Sequence, residues 1–376
     1  MRLQSKKEVF HFLLTLKRLK LKDEIHYGGV KMLKNLLMLQ KLGINGGFID
    51  YAARNFSKKD FSLLFEGSVV ELQFKYNIFS DKELDIFYNI DNIKKVEEST
   101  DVFITNNKKQ NIRILSYYDS EYPTSLKALD KKPLFLYAKG NIELLNSPKS
   151  IACVGTRKPS KHIVEAVHDI VQGLVKENVV IVSGLAKGID TESHQACLHN
   201  KGQTIAVLAH GLDTIYPKGN KDLSDSILTN DGVLVSEYPI ETDIRKHNFV
   251  ARNRIISALS QGVIIFEADE KSGTMHTSRF AYKQGKKIFC PNIIQEPEKL
   301  SSGVKKLLTT GNAYPIKNSS DVMYHTFETQ TSSVNINIKT SSFKELEHMS
   351  KITGFSIDEL INEIITRYIE GERNYE

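Results

Sequence analysis

Three short loops in this sequence combine glycine or hydroxyl residues with a cationic side chain, a combination suited to binding phosphate. The first is Gly155-Thr156-Arg157, and the second runs from Ser183 to Thr191 and holds Gly184 and Lys187. The third is Lys271-Ser272-Gly273-Thr274. Glycine lets the backbone approach a ligand closely, arginine can hold a phosphate through two hydrogen bonds, and a helix N-terminus presents free amides. One such loop often only caps a helix, so the prediction of an anion site depends on all three meeting.

A further basic segment, from His247 to Ser257, contains residues that suit contact with an unpaired nucleic-acid strand. Two arginines, Arg252 and Arg254, stand on either side of an asparagine in it and suit the gripping of phosphate. Phe249 is an aromatic residue on which a base could stack. A place for Phe249 in the hydrophobic core is an equally good interpretation of the sequence.

The motifs of common nucleotide-binding and catalytic sites do not occur in the sequence. It has no Gly-x-Gly-x-x-Gly and no P-loop Gly-Lys-Ser/Thr, and it has neither His-Glu-x-x-His nor a Gly-x-Ser-x-Gly elbow. Asp190, His194, His210 and Asp213 could approach one another, but His194 lies on a predicted helix and is expected to be packed there. We therefore expect a protein that is not an enzyme, with no cofactor and no metal.

The elements that must position these loops are short apolar runs that alternate with amphipathic helical patterns. Such runs occur at residues 151–154, 179–182, 204–208, 232–235, 263–266 and 287–289. Continuous apolar strands alternating with helices predict an α/β fold, an extended Rossmann-like, mostly parallel sheet covered on both faces. Ligands of such sheets bind beyond the carboxyl ends of the strands, where the three loops occur.

The flanking regions predict two additional parts. Residues 1–98 show helical patterns and are predicted to form an N-terminal helical domain, and the polar residues 99–111 are predicted to be a linker or loop. The core is predicted to span residues 112–316, and polar residues after Pro315 predict a flexible tether.

The last segment, residues 334–376, is predicted to be a small C-terminal module. A strictly alternating stretch, Val334 to Lys339, predicts a strand, and two capping boxes predict two helices after it. This order resembles a ribbon-helix-helix DNA-binding module, with a winged helix as the alternative, and by analogy Asn335, Asn337 and Lys339 would face DNA. A dimerisation tail without DNA contact is the simpler alternative.

The composition is that of an ordinary globular protein. The 376 residues carry a net charge of +6, which permits a polyanionic partner without requiring one. The three cysteines are widely spaced, as expected in a reducing cytoplasm. The N-terminal apolar run, Val9 to Leu16, is too short to span a bilayer, so we expect a cytoplasmic protein without a membrane partner.

The core motifs together resemble those of the DNA-processing protein A family (DprA, also called Smf). The resemblance rests on six stretches in family order: Gly155-Thr156-Arg157, Ser183 to Thr191 with His194, Gly211-Leu212-Asp213 with Tyr216-Pro217, Ser236 to Pro239, Arg252 to Ser260, and Lys271 to Thr274. It covers residues 112–295.

The resemblance implies a Rossmann-like protein that binds single-stranded DNA, protects it, loads a RecA-type recombinase in natural transformation, and forms homodimers. Carried over by position, Arg157 and Lys187 would hold phosphates, while Ser183, Gly184, Ser272, Gly273 and Thr274 would line the pocket. Asn248, Arg252 and Arg254 would flank it. The alternative hypothesis is a regulator whose core senses a small nucleotide while its tail reads duplex DNA.

Overall fold

The structure, a computed structural model, describes residues 29–292 and 300–327 and isolated positions between 343 and 361. The chain divides into two compact units, residues 1–327 and residues 328–376. In the second unit the described residues, Leu346 and Ile357 among them, are helical. The predicted strand from Val334 to Lys339, with Asn335, Asn337 and Lys339, lies outside the described residues, so the prediction for this module is untested.

Between residue 29 and the first strand, the structure describes six helices. Helices α1 to α3 are Gly29–Lys41, Gly46–Asn55 and Lys58–Phe65, and helices α4 to α6 are Val69–Lys75, Asp81–Tyr88 and Ile90–Lys109. Their apolar faces share one core with β2, β5 and β6 of the sheet described below. The predicted helical character of this region is therefore confirmed, and its boundary at residue 98 stays a prediction.

The polar segment 99–111 is a helix, and its prediction as a linker is wrong. Helix α6 continues through it to Lys109. Phe103 and Ile104 pack against the helical core, while polar residues on either side of them, such as Asp101 and Thr105, face solvent. Asn107 is buried, and its side-chain amide donates a hydrogen bond to the Phe103 carbonyl. A helix that presents a narrow apolar stripe is easily mistaken for a loop when polar residues dominate its composition.

The core of the protein is a nine-stranded sheet. Its strands in chain order are β1 Arg113–Ser116, β2 Phe135–Gly140, β3 Ser150–Val154, β4 Val180–Ser183, β5 Thr204–Leu208, β6 Val233–Ser236, β7 Gly262–Ile265, β8 Lys287–Pro291 and β9 Tyr314–Ile316. The spatial order is β1-β2-β6-β5-β4-β3-β7-β8-β9, and every pair from β6 to β9 is parallel. Strands β1 and β2 form an antiparallel extension at the β6 edge. The predicted mostly parallel sheet is confirmed.

Helices cover both faces of this sheet. They are α7 Thr124–Lys127, α8 Lys161–Lys176, α9 Ile189–His199, α10 Lys221–Thr229, α11 Lys246–Ala258, α12 Thr274–Lys283, α13 Ser302–Thr309 and α14 Ser319–Thr326. Residues of α7, α11, α12 and α13 share a core on one face. Residues of α8, α9 and α14 share a core on the other. This layering leaves the carboxyl ends of β4, β3 and β7 as neighbours at one edge.

Candidate functional site

The three predicted loops meet at the carboxyl edge of the sheet, because each follows one of three adjacent parallel strands. Hydrogen bonds join them to one another. The Ile189 amide donates to the Thr156 carbonyl at 3.1 Å, and the Thr274 hydroxyl donates to the Gly155 carbonyl at 3.0 Å. The loops therefore form one continuous surface, as the spacing of the motifs predicts.

Gly188 brings the second loop against the first. Its φ of +78° is a conformation that side-chain-bearing residues rarely adopt, and a Cβ there would lie 2.7 Å from Arg157 Cα. This close approach places Lys187 and Arg157 on neighbouring turns at the same edge. Both side chains are exposed.

The exposed cations of this edge are Arg157, Lys187 and Lys271. Within the described ranges none of the three forms an ion pair with a carboxylate. Unpaired cations that converge at one edge generate a positive potential that attracts an anionic chain. The edge is therefore electrostatically suited to phosphate.

An aromatic platform adjoins these cations. The Arg157 guanidinium lies 5.8 Å from the centre of the Phe249 ring, and the Tyr216 ring packs edge-on against Phe249 with centroids 5.7 Å apart. Phe249 is half-buried and Tyr216 is 42% exposed. Sequence reasoning used Tyr216 only as part of a motif and missed its place here. An aromatic residue in a Pro-bearing loop after an apolar strand is the signal that could have identified it.

Arg252 lies beneath the site, contrary to the prediction that it flanks the site. Its side chain is 3% exposed and donates to the carbonyls of Gly184, at 2.7 Å, and Val207. Burial lowers the pKa of Arg252 to about 10, with nearby Arg157 acting in the same direction and Asp190 opposing both. Arg252 thus fixes the backbone under the second loop and is too deeply buried to contact a ligand at the surface.

Arg254 and Asn248 also depart from their predicted roles. Arg254 makes a bidentate ion pair with Glu237, with both hydrogen bonds at 2.6 Å, and also donates to the Lys131 carbonyl at 3.0 Å. At 100° per residue, Arg254 projects from a side of α11 well separated from Phe249. Asn248 is 3% exposed. An Arg-Asn-Arg run on a helix sends its three side chains to different neighbours, so the two arginines cannot act as one clamp.

The middle residue of that run, Asn253, connects two parts of the site. Its side-chain oxygen accepts a hydrogen bond from Arg252 Nε at 3.2 Å, and its side-chain nitrogen donates to the Gly273 carbonyl at 3.4 Å. It thereby joins the buried arginine to the third loop. Asn253 belongs to the Arg252 to Ser260 motif, but its sequence position does not indicate this connecting role.

The remaining predicted pocket residues differ in accessibility. Ser183 is fully buried, and its hydroxyl donates to the Cys153 carbonyl at 2.6 Å, so its side chain does not line the surface. Gly184 is buried above Arg252. Gly273 is exposed in the third loop, while the buried Ser272 hydroxyl has no hydrogen-bond partner in the described part of the chain. The accessible part of the pocket therefore consists of backbone and the three cations.

The N-terminus of α8 already carries a carboxylate. Glu267 Oε2 accepts hydrogen bonds from the Ser160 amide at 2.9 Å and from the Ser160 hydroxyl at 3.2 Å. The prediction that this helix presents free amides to a phosphate is wrong at Ser160, because Glu267 occupies that position. A compact phosphate would have to displace a charge of its own sign.

The titratable residues considered for catalysis are largely buried. Burial lowers the pKa of His194 to about 3, and its Nδ1 lies 2.7 Å from the Thr204 hydroxyl, which itself donates to the Ile181 carbonyl. His194 is therefore a neutral imidazole with a proton on Nδ1. Burial also raises the pKa of Asp190 and lowers that of His210. In the described part of the chain, no group of three or more His, Cys, Asp or Glu side chains could hold a metal ion.

Comparison with known proteins assigns this chain to a family. Residues 113–327 match the family model described as DNA recombination-mediator protein A. The DNA processing protein DprA of Streptococcus pneumoniae is 43% identical over 206 residues, 51% of this chain and 72% of the relative. The chain belongs to the DNA recombination-mediator protein A (DprA/Smf) family. The DprA of Bacillus subtilis is 39% identical over 205 residues, 54% of this chain and 68% of that relative.

Solved structures agree with this assignment. The X-ray structure of DprA from Streptococcus pneumoniae has a TM-score of 0.59 and 32% identity, over 80% of this chain and 97% of the other. DprA from Helicobacter pylori, solved for its single-stranded DNA binding mode, has a TM-score of 0.51 and 33% identity, over 57% and 94%. The predicted resemblance to the family and its fold are confirmed. No helix among the described residues has the length and apolar character needed to cross a membrane.

Proposed function

We propose that this protein binds single-stranded DNA at the carboxyl edge of the sheet, as a recombination-mediator protein. The observation that carries the proposal is the cluster of Arg157, Phe249 and Tyr216 beside Lys187, a lysine that forms no ion pair among the described residues. Cations neutralise phosphates, and aromatic faces stack on bases of any sequence. The combination suits an unpaired strand better than a duplex, whose bases are stacked on one another.

In this proposal the two chemistries act on different parts of the strand. Arg157, Lys187 and Lys271 contact successive phosphates, and Phe249 with Tyr216 receives an unstacked base. Arg252 and Asn253 contribute indirectly, by holding the loops that carry these groups. Binding is then tolerant of sequence and weakens as salt concentration rises, because each neutralised phosphate releases counterions.

The wider role that we propose follows the family. The protein protects single-stranded DNA and loads a RecA-type recombinase onto it during natural transformation or another recombination process, acting as a homodimer and without catalysis. The proposal of a non-enzymatic role is supported by the burial of His194 and Asp190, which keeps both away from a substrate at the edge. The single-strand binding described for the Helicobacter pylori relative supports the DNA partner.

The alternative function, a sensor of a small nucleotide at this edge, is less well supported. A free nucleotide's terminal phosphate would use the N-terminus of α8, where the Glu267 carboxylate already accepts the Ser160 amide. An extended strand needs no phosphate at that position, because its charges are distributed along the edge. We therefore favour the strand over the small ligand.

The test is fluorescence anisotropy with a labelled single-stranded oligonucleotide and its duplex, at several salt concentrations. The double variant Arg157→Ala/Lys187→Ala is expected to bind the single strand more weakly, with a salt slope smaller by roughly 0.7 for each phosphate that is no longer neutralised. Lys108→Ala/Lys109→Ala is the matched control, since it also removes two exposed positive charges and both residues precede β1, at the opposite end of the strands from the carboxyl edge. Equal affinity of both variants and the wild type would overturn the assignment of this site.

A further inference from the structure

A large cavity lies away from the edge loops, on the face of the sheet covered by α7, α11 and α12. Its volume is about 830 Å³, within the range of sites for small organic ligands. Arg254 and Glu237 form one wall through their bidentate ion pair, in which both side chains are largely buried. That pair fixes the wall and cancels its own charge.

Three lysines also line this cavity: Lys131, Lys283 and Lys286. Among the described residues none of the three forms an ion pair, and Asp130 is the one lining carboxylate besides the paired Glu237. Lys286 is half-buried, and burial lowers its pKa. An ammonium group held out of water without a counter-charge gains most from an anion that enters the cavity.

Apart from Ser125 and Gln284, the remainder of the lining is apolar or aromatic. Phe280 and Tyr238 supply rings, and Ala251, Ala258 and Leu129 supply aliphatic surface between them. A ligand that fits must therefore carry a negative charge at one end and a flat, weakly polar body at the other. A nucleotide has both, with a phosphate for the lysines and a base for the rings.

We propose that this cavity, which we call the α11–α12 groove, is a second nucleotide-binding site. Its ligand is either a free mononucleotide or one nucleotide of a DNA strand that also occupies the carboxyl edge. The chemistry of recognition is the same for both sources. If the ligand is one nucleotide of a DNA strand, the proposal rests on the proposed single-strand binding. If the ligand is a free mononucleotide, it does not.

The experiment compares two probes by isothermal titration calorimetry: deoxyadenosine 5′-monophosphate and a single-stranded deoxyadenosine oligonucleotide. The groove variant is Lys283→Ala/Lys286→Ala, with Lys108→Ala/Lys109→Ala as its matched control. A second variant, Ala128→Trp, places a bulky ring at the rim of the groove without changing charge. The edge variant Arg157→Ala/Lys187→Ala separates this proposal from the proposed function.

If the groove binds a free nucleotide, the mononucleotide should bind the wild type and the edge variant equally. Its affinity for both groove variants should be about tenfold lower. A strand in the groove predicts instead that the oligonucleotide loses affinity in both groove variants, with a salt slope smaller by about one in the lysine variant. If both probes bind the groove variants as tightly as the control, the groove is not a nucleotide site. That result would leave the edge proposal intact, since the edge variant tests it separately.

Discussion

Gly184 lies directly against the buried guanidinium of Arg252. A Cβ at residue 184 would stand 2.5 Å from Arg252 Cζ, and the Gly184 carbonyl accepts a hydrogen bond of 2.7 Å from Arg252 Nη1. The Arg252 side chain therefore has room only because residue 184 is a glycine, and the Gly184 backbone is held in turn by the Arg252 guanidinium. The second loop takes its position at the edge from this contact.

We expect Gly184→Ala to destabilise the protein by about 1–3 kcal/mol, because the added methyl group must displace a packed guanidinium. Chemical denaturation measures this destabilisation. Gly273→Ala is the matched control in the third loop, where a Cβ would meet nothing within 4 Å. Equal stability of the two variants would contradict the close packing at residue 184.

Substitution of Arg252 should lower the stability of the protein, whereas substitution of Arg157 should weaken single-strand binding. Arg252→Met leaves the Gly184 and Val207 carbonyls without their donor, and we expect a decrease of about 2–4 kcal/mol in the free energy of unfolding. Arg157→Met removes an exposed side chain and should change stability by less than about 0.5 kcal/mol while weakening single-strand binding. Denaturation and anisotropy on the same preparations measure both effects. The reverse pattern would place Arg252 in contact with the ligand.

The aromatic platform predicts weaker base stacking in Phe249→Leu. We expect affinity for a single strand to fall by about 1–3 kcal/mol, whereas Phe249→Tyr keeps a ring and should retain most of it. Fluorescence of an oligonucleotide containing 2-aminopurine reports stacking directly. Phe74→Leu serves as the control, since Phe74 is 91% exposed on α4. Unchanged fluorescence and affinity in Phe249→Leu would assign Phe249 to packing alone.

His194 should make stability depend on pH. Its folded pKa of about 3 lies below its ordinary value of 6.5, so the unfolded chain binds the proton first as pH falls. The free energy of unfolding should therefore decrease below pH 6.5, by up to about 1.4 kcal/mol per pH unit from this residue.

Denaturation curves of wild type and His194→Gln from about pH 7.5 to about pH 5 test this dependence, with the range chosen to bracket the unfolded pKa. In His194→Gln the free energy of unfolding should depend less on pH, because the contribution of residue 194 is lost. His199 is exposed, and His199→Gln should keep the pH dependence of the wild type. Parallel curves for all three proteins would show that His194 is not held neutral.

The sheet and the meeting of the three loops could be predicted from the sequence, because both follow from local patterns. Apolar runs specify buried parallel strands, and residues that follow such strands must lie at one edge. The roles of Arg252 and Arg254 could not be predicted in this way. Their contacts, to the Gly184 and Val207 carbonyls and to Glu237, come from distant parts of the chain.

Two predictions from the sequence were wrong because contacts between distant parts of the chain do not show in local patterns. Helix α6 has so many polar residues that its apolar stripe was missed, and the N-terminus of α8 seemed open because Glu267 is far from it in sequence. Tyr216 was overlooked because only the fold sets its ring against Phe249. In each case a tertiary contact determines what a residue does.

The register that pairs Ile151 of β3 with Gly262 of β7 also has a consequence during synthesis of the chain. The first loop leaves the ribosome long before the third, and α11 with Phe249 emerges between them. Domains that assemble from distant segments complete their packing only after the last segment is available. A nascent chain therefore cannot present the full edge until its third loop has been translated. The single-strand binding proposed for this edge should thus appear only late in synthesis.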